Sequence, residues 1–235
     1  MAKKKARRTT RKAPPQPQRQ TNWLVVGGVI AVGVIALFGL FYLALREPEA
    51  VSLAKYCDNN PGACLVHGAD NAPVTFVEVS DYGCGFCGDY NLNTAPILEA
   101  EYVETGQMRY MVVPFALRAR DGSYPTLPTA VAAMCANDQD AFPEFNTAMF
   151  SIQSSPLAHT REGYLQEAER LGLDMDAFSG CLDNQAYVDI ILNNVRVAQS
   201  AGVSATPTFF INDAQVSGAQ PLNSFIQRIE ASLGR

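Results

Sequence analysis

Residues 81–88 read DYGCGFCG and place two cysteines, Cys84 and Cys87, in a C-x-x-C pair. The pair follows an apolar run, residues 74–79, that is typical of a buried strand, and it stands where the next helix is expected to begin. The first turn of a helix presents unpaired N–H groups and a positive dipole end, and both favour a thiolate over a thiol. The pattern therefore predicts a redox-active dithiol.

A zinc site is the alternative interpretation of a C-x-x-C pair. Structural zinc needs four nitrogen or sulfur ligands, and the sequence has no second C-x-x-C pair. The two histidines, His67 and His159, show no matching spacing and are interpreted as surface residues. The sequence therefore predicts neither a bound metal nor a cofactor.

The charges of this chain are unevenly distributed. Residues 1–22 carry eight of the 18 Lys and Arg residues and no acidic residue, so all 23 acidic residues belong to the rest of the chain. With its prolines and glutamines, the basic segment is expected to be a disordered tail. A position on the cytoplasmic side of a membrane explains its charge better than nucleic-acid binding, because of the segment that follows.

No charged residue occurs in the 23 positions from Trp23 to Leu45. As a helix this segment would be about 34 Å long, enough to cross a hydrocarbon core of about 30 Å. It is longer than the apolar region of a signal peptide, and a retained transmembrane anchor is predicted over a cleaved signal. Because basic residues stay on the cytoplasmic side, residues 46–235 are predicted to be extracytoplasmic, in a single-pass cell-membrane protein.

An extracytoplasmic location changes the interpretation of the six cysteines, because disulfides form in that compartment. Six cysteines allow many pairings, so the choice is an inference. The predicted pairs are Cys57 with Cys64, Cys84 with Cys87, and Cys135 with Cys181. Structural disulfides are preferred for the first and third pairs, while a second redox-active pair at Cys57 and Cys64 stays open.

The predicted elements follow the order β-α-β, a helical block, then β-β-α. Residues 46–72 are predicted to be a tether and capping segment. Residues 73–235 form the main domain, with a helical insertion at about 116–200. This order, with a C-x-x-C pair opening the first helix and an X-Pro pair before a late strand, is that of an α/β thioredoxin fold with an inserted helical domain.

Three motifs carry a resemblance to a known family. They are NAPVTFVEVSDYGCGFC at 71–87, GVSATPTFFIN at 202–212 and SGAQP at 217–221. In this order and spacing they resemble the DsbA-like family of extracytoplasmic thiol–disulfide oxidoreductases, over about residues 66–234. The resemblance implies a membrane-anchored member of that family.

The two cysteines of the dithiol have different expected roles. Cys84 lies nearest the helix start and is predicted to be the attacking sulfur, while Cys87 resolves the mixed disulfide. The resemblance further implies that Glu78 is a buried acid with a raised pKa that relays protons to Cys87. An exposed Glu78 at a strand end is the alternative.

The resemblance also implies a substrate-binding surface. Thr206 and Pro207 resemble the cis-proline loop of the family, which packs beside the dithiol and offers backbone groups to an extended substrate. A trans proline that opens a strand is the alternative. Thr206 would also contact and tune the dithiol, and Phe86 is assigned to the same surface.

The leading hypothesis is an enzyme that introduces disulfides into secreted or membrane proteins carrying thiols. The family implies reoxidation by a quinone-linked membrane partner of the DsbB or vitamin K epoxide reductase type. The dipeptide Gly85–Phe86 lacks the histidine of strongly oxidising DsbA proteins, so a reductase or isomerase on the same scaffold stays open. A copper-binding or chaperone module is the third alternative.

Overall fold

The computed structural model describes residues 23–45 and 51–235, and the chain divides into two units, Met1–Glu49 and Ala50–Arg235. Helix α1, Trp23–Leu45, belongs to the first unit, and its side chains are described at residues 24–39 and 41. Among the residues whose side chains are described, no helix is both long and apolar enough to cross a membrane. The predicted basic tail and the first residues of the predicted tether, 46–50, lie outside the described residues.

The second unit is built on a five-stranded sheet. The strands are β1 (Leu65–His67), β2 (Val74–Ser80), β3 (Met108–Pro114), β4 (Thr208–Ile211) and β5 (Ala214–Ser217), in the order β1-β3-β2-β4-β5. Strands β2 and β3 are parallel, and the other neighbouring pairs are antiparallel. β2 is the central strand and carries layers on both faces, which explains why every residue in it except Thr75 is buried.

Helices cover the sheet and form the insertion. They are α2 (Leu53–Asn59), α3 (Gly85–Asn93), α4 (Ala95–Leu98) with a π-helical turn (Glu99–Val103), α5 (Leu127–Asn137), α6 (Phe142–Ser151), α7 (Arg161–Arg170), α8 (Met175–Asp183), α9 (Val188–Ser200) and α10 (Leu222–Ser232). Helices α5 to α9 are the insertion between β3 and β4. The α/β thioredoxin-like fold with a helical insertion, predicted from the sequence, is confirmed.

The segment before β2 is more regular than the expected tether and capping loop. Helix α2 begins after Ser52, whose side chain accepts a hydrogen bond from the N–H of Lys55. Strand β1 then pairs antiparallel with β3 and becomes the edge strand on that side of the sheet. Three residues are too few to show the alternation that predicts a strand, so β1 could not be predicted from its residues.

Alternation along β2 sets the position of Glu78. Phe76 joins an aromatic cluster on one face of the sheet, in which its ring centroid lies 5.2 Å from that of Tyr110 and 5.6 Å from that of Phe209. Val77 belongs to the cluster on the opposite face. Because side chains in a strand alternate, Glu78 lies on the Phe76 face, among aromatic rings.

Candidate active site

The dithiol stands at the junction of β2 and α3. Cys84 is the N-cap of α3, and its backbone N–H donates to the carbonyl oxygen of Asp81 at 3.0 Å. Its own carbonyl accepts from the N–H groups of Cys87 and Gly88 at 3.0 and 3.1 Å. The N–H of Cys87 also points at the Cys84 sulfur, with 3.4 Å between N and Sγ. The sulfur is therefore held at the positive end of the helix.

The two thiols of this pair are chemically different. Both are free, Cys84 is partly exposed, and Cys87 is 0% exposed. Hydrogen bonding from the Cys87 thiol, then from the Thr206 hydroxyl and nearby backbone N–H groups, lowers the pKa of Cys84 to about 6 against the opposing effect of burial. Burial, followed by the hydrogen bond to Cys84, raises the pKa of Cys87. These pKa shifts favour a thiolate at Cys84 and a protonated thiol at Cys87.

The loop before β4 packs directly against the Cys84 sulfur. The Thr206–Pro207 peptide bond is cis, and the Cys84 thiol donates to the Thr206 carbonyl oxygen at 3.1 Å. A carbonyl can only accept, so this contact favours the thiol form. The Thr206 hydroxyl is buried and has no hydrogen-bond partner among the described residues. It is the group that donates once Cys84 becomes a thiolate, which is why Thr206 lowers the pKa of Cys84.

Glu78 is a fully buried carboxyl group below the dithiol, at 0% exposure. Asn91 Nδ2 donates to its Oε1 at 2.7 Å, and the Tyr110 hydroxyl donates to its Oε2. Burial raises the pKa of Glu78, and the hydrogen bonds from Tyr110, Ser80 and Asn91 oppose that rise only in part. The negative charge of Glu78 in turn raises the pKa of Cys87. The ionisation of Glu78 and that of Cys87 are therefore electrostatically linked.

Asn91 extends this polar cluster beyond Glu78. Its Nδ2 also donates to the carbonyl oxygen of Cys87 at 2.9 Å, and its Oδ1 accepts from Asn146 at 2.9 Å. Asn146 Oδ1 accepts from the Tyr82 hydroxyl at 2.8 Å. Asn91 was not predicted as a site residue. It stands four residues after Cys87, one helical turn further along α3, and that spacing is the only signal the sequence offers.

Asp81 shapes the loop that carries the dithiol. It is 1% exposed, and its Oδ1 accepts from the N–H of Gly83 at 2.6 Å. Its Oδ2 accepts from the N–H of Leu117 at 2.5 Å and from the Thr126 hydroxyl at 3.0 Å. A Cβ at position 83 would lie only 2.7 Å from Thr126 Cγ2, so this close approach requires glycine. Asp81 was not predicted as a site residue, although an acidic residue just after an apolar strand is a signal in the sequence.

Gln153, just after α6, ties the helical insertion to the dithiol loop. Its Nε2 donates to the carbonyl oxygens of Tyr82 at 2.6 Å and Cys84 at 3.0 Å. The contact with Cys84 spans 69 positions of sequence, so no local pattern could predict it. Gln153 is therefore a positioning residue for Cys84.

The remaining predicted residues lie around this site or away from it. Phe86, on the first turn of α3, is 71% exposed beside Cys84. Disulfide bonds join Cys57 to Cys64 and Cys135 to Cys181, with Cα–Cα distances of 5.5 and 5.8 Å. The first bond links α2 to the residue before β1, and the second links α5 to α8.

Neither histidine belongs to the dithiol site. His159 is exposed, with its Nδ1 2.9 Å from the Thr129 hydroxyl oxygen. His67 was interpreted as a surface residue but is only partly exposed, because its ring stacks on Phe142 with a centroid distance of 5.5 Å. Within residues 23–45 and 51–235, no group of three or more potential ligands could hold a metal ion.

A partly exposed cysteine with a low pKa, a buried partner and a cis-proline loop, all on this fold, define a DsbA-like domain of the thioredoxin fold. The chain belongs to the thioredoxin family, because the family model described as thioredoxin matches residues 61–231, nearly three quarters of its length.

Individual known proteins are similar to this chain in sequence and in structure. Disulfide bond formation protein D of Bacillus subtilis is 23% identical over 171 residues, which are 72% of this chain and 76% of that protein. The crystal structure of alpha-DsbA1 from Wolbachia pipientis aligns with a TM-score of 0.63 and 27% identity, covering 72% of this chain and 90% of that chain.

Some relatives are much longer proteins. The Na(+)/H(+) antiporter NhaA 3 of Salinispora tropica is 33% identical over 171 residues, which are 68% of this chain. The chain spans 23% of the length of this antiporter and of a second one from Salinispora arenicola.

Proposed function

We propose that this protein is an extracytoplasmic thiol–disulfide oxidoreductase that introduces disulfides into secreted or membrane proteins through Cys84 and Cys87. The observation that carries the proposal is the set of donors around one partly exposed sulfur. The Cys87 thiol, the Thr206 hydroxyl and backbone N–H groups all stabilise the Cys84 thiolate. A stabilised thiolate leaves readily from a mixed disulfide and makes the Cys84–Cys87 disulfide a better oxidant.

The proposed reaction begins with the Cys84–Cys87 disulfide. A substrate thiolate attacks Cys84 Sγ, the bond between the two cysteines breaks, and Cys87 leaves as a thiolate that takes a proton from Glu78. A second substrate thiolate then attacks the substrate sulfur of the mixed disulfide and expels Cys84 as a thiolate. The substrate leaves with a new disulfide, and its two electrons remain on the enzyme dithiol.

Substrate recognition is proposed for the surface around Cys84. The cis Thr206–Pro207 loop lies against the attacking sulfur, so its backbone can pair with an extended substrate segment. Phe86, two residues after Cys84 on the first turn of α3, offers an exposed aromatic ring. Both contacts suit an unfolded polypeptide, because neither requires a particular side chain on the substrate.

The proposed partner is a quinone-linked membrane protein of the DsbB or vitamin K epoxide reductase type, which would accept the two electrons. The proposed domain organisation has a cytoplasmic tail at 1–22, a single transmembrane anchor at 23–45, a tether and capping segment at 46–72 and the catalytic domain at 73–235. The run of 23 uncharged residues and the basic segment before it support this orientation. The two disulfides support an oxidising compartment.

A reductase or isomerase is the second candidate, favoured by the uncharged dipeptide Gly85–Phe86 between the cysteines. The reduction potential separates the two. The full-length chain is equilibrated in glutathione buffers, and the fraction of Cys84–Cys87 disulfide is measured by mass spectrometry. A value near −120 mV, as in DsbA, supports the oxidase, whereas a value near −270 mV, as in thioredoxin, contradicts it.

Activity provides the matching test. The oxidised chain should form disulfides in a reduced, unfolded protein, and Cys84→Ser should abolish this reaction while keeping the melting temperature. Retention of activity in Cys84→Ser would exclude the proposed mechanism.

A further inference from the structure

A cavity of about 130 Å³ lies against the polar cluster of Glu78. Its polar lining includes residues from five parts of the fold: His67 in β1, Asn91 in α3, Glu99 in the π-helical turn, Tyr110 in β3 and Asn146 in α6. This volume is large enough to hold water, and the polar lining supplies hydrogen-bond partners for it.

The cavity is one side chain away from the buried acid. Asn91 and Tyr110 both line it, and these two residues donate the hydrogen bonds to the two carboxyl oxygens of Glu78. Glu99 and His67 line the same cavity and are themselves partly exposed. The cavity therefore connects the surroundings of Glu78 with groups that reach solvent.

The chemistry of the dithiol requires such a connection. This step rests on the proposed function, in which Cys87 gains a proton when the disulfide is reduced and loses it when the disulfide re-forms. Cys87 and Glu78 are both 0% exposed, so neither can exchange that proton directly with water. Glu78 can hold the proton, but it must release a proton and take one up again once in every catalytic cycle.

We propose that this cavity is the proton-exchange route of the dithiol and that Glu99 passes protons between Glu78 and solvent. Asn91 and Tyr110 hold the inner end of the route in place, since they anchor the carboxyl group of Glu78. His67 provides a second group at the outer end. Glu99 is a proton-transfer residue of the reaction, although it contacts neither sulfur.

The charges around the cavity suit this role. Burial, together with the negative charges of Glu78 and Glu104, raises the pKa of Glu99 to about 7. A carboxyl group with that pKa can both accept and donate a proton near neutral pH. Burial lowers the pKa of His67 against the opposing charge of Glu144, which favours a neutral imidazole.

Reoxidation by glutathione disulfide isolates the proton-linked step. The Cys84 thiolate attacks one glutathione sulfur, forms a mixed disulfide and expels one glutathione thiolate. The Cys87 thiol then gives its proton to Glu78, and the Cys87 thiolate attacks Cys84 Sγ and expels the second glutathione thiolate. Two electrons pass from the dithiol to glutathione disulfide, and the proton leaves through Glu99 to solvent, where a glutathione thiolate takes it up.

The test compares Glu99→Gln with Glu101→Gln in the reduced full-length chain. Glu101 is an exposed acid on the same π-helical turn that does not line the cavity, so its variant is a matched charge control. Each chain is mixed with glutathione disulfide and quenched with acid, and mass spectrometry follows the mixed disulfide at Cys84. Glu99→Gln should form it at the normal rate but resolve it about tenfold more slowly at neutral pH, whereas Glu101→Gln should behave like the unchanged chain.

Chemical rescue distinguishes proton transfer from a structural role. Formate or imidazole, small enough for the cavity, should restore the resolution rate of Glu99→Gln and leave Glu101→Gln unaffected. Normal resolution in Glu99→Gln would overturn the route, as would slow resolution that no buffer restores or an equal loss in Glu101→Gln. A failure of the proposed function itself would appear separately, as disulfide exchange that persists in Cys84→Ser.

Discussion

Loss of the Cys87 thiol should make Cys84 markedly less reactive at neutral pH. The hydrogen bond from Cys87 is the largest of the effects that lower the pKa of Cys84 to about 6. A hydrogen bond to a charged group contributes about 1.5–3 kcal/mol, and one pKa unit corresponds to about 1.4 kcal/mol. Cys87→Ala should therefore raise the pKa of Cys84 by about one to two units. Because Cys84 is partly exposed, solvent screening favours the lower end of that range.

The thiolate fraction follows directly from these values. At pH 7 a thiol with a pKa of about 6 is about 90% ionised, and the expected rise reduces this fraction to between about 10% and 50%. The assay is the rate of Cys84 alkylation by iodoacetamide against pH, with the modified residue located by mass spectrometry. Cys87 is buried, and the other four cysteines are in disulfides, so the reaction reports Cys84 alone.

Cys87→Ser is the matched control, because its hydroxyl group still offers a hydrogen-bond donor at the same position. Its alkylation midpoint should stay closer to that of the reduced unchanged chain. A midpoint of the unchanged chain near the ordinary cysteine pKa of about 8.5 would contradict a stabilised Cys84 thiolate. Equal midpoints for Cys87→Ala and the unchanged chain would contradict the role of the Cys87 thiol as hydrogen-bond donor.

Three further changes test the site and the fold that supports it. Burial raises the pKa of Glu78 in the folded state, so the unchanged chain loses stability as pH rises from the unfolded-state pKa through the folded-state pKa. Glutamine does not ionise, so Glu78→Gln should stabilise the fold more at mildly alkaline than at acidic pH, as measured by urea denaturation. Thr206→Val should raise the alkylation midpoint of Cys84 without loss of melting temperature, because the hydroxyl group it removes has no partner in the dithiol state. Replacing Cys135 and Cys181 together by Ala should lower the free energy of unfolding by about 4 kcal/mol and leave the Cys84 midpoint unchanged, since the bond closes a loop of 46 positions in the helical insertion.

Local rules were sufficient to predict the framework of the site. Strand β2 reads as a mostly apolar run because it is central and covered on both faces, and β3, the interior strand beside it, is buried at every position except Arg109. The C-x-x-C pair follows β2 closely, so the position of Cys84 at a helix start needed no tertiary information. The break before Pro96 was also predictable, because proline cannot donate a backbone hydrogen bond and stands here in the first turn of α4.

The surroundings of the dithiol depend on tertiary contacts that leave no local pattern. Asn91 and Glu78 are 13 positions apart, and Gln153 and Cys84 are 69 apart, yet each pair is within hydrogen-bond distance. The polarity of Glu78 inside an apolar strand was visible, whereas two of its donors, Tyr110 and Asn91, come from another strand and a helix. His67 was misinterpreted for the same reason, because the packing of β1 against α6 that partly buries it has no signature in a three-residue strand.

The groups that stabilise the Cys84 thiolate determine how the reduction potential responds to salt. Every donor that lowers the pKa of Cys84 is uncharged: the Cys87 thiol, the Thr206 hydroxyl and backbone N–H groups. Gly85 and Phe86 add no charge between the cysteines. Salt screens interactions between charges and has little effect on short hydrogen bonds from neutral donors. The reduction potential of this dithiol should therefore change little with ionic strength.

A dithiol whose thiolate depends on a nearby cation would behave differently, since added salt weakens that attraction and lowers the oxidising strength. The measurement is the glutathione equilibrium of the full-length chain at low and high potassium chloride, at one pH. A shift of about 30 mV, which is a tenfold change in the equilibrium constant of a two-electron couple, would contradict the assignment of neutral donors. Introducing a cation through Phe86→His provides the comparison. That variant should become more oxidising and should gain the salt dependence that the unchanged chain lacks, because its imidazolium would then stand beside the Cys84 thiolate.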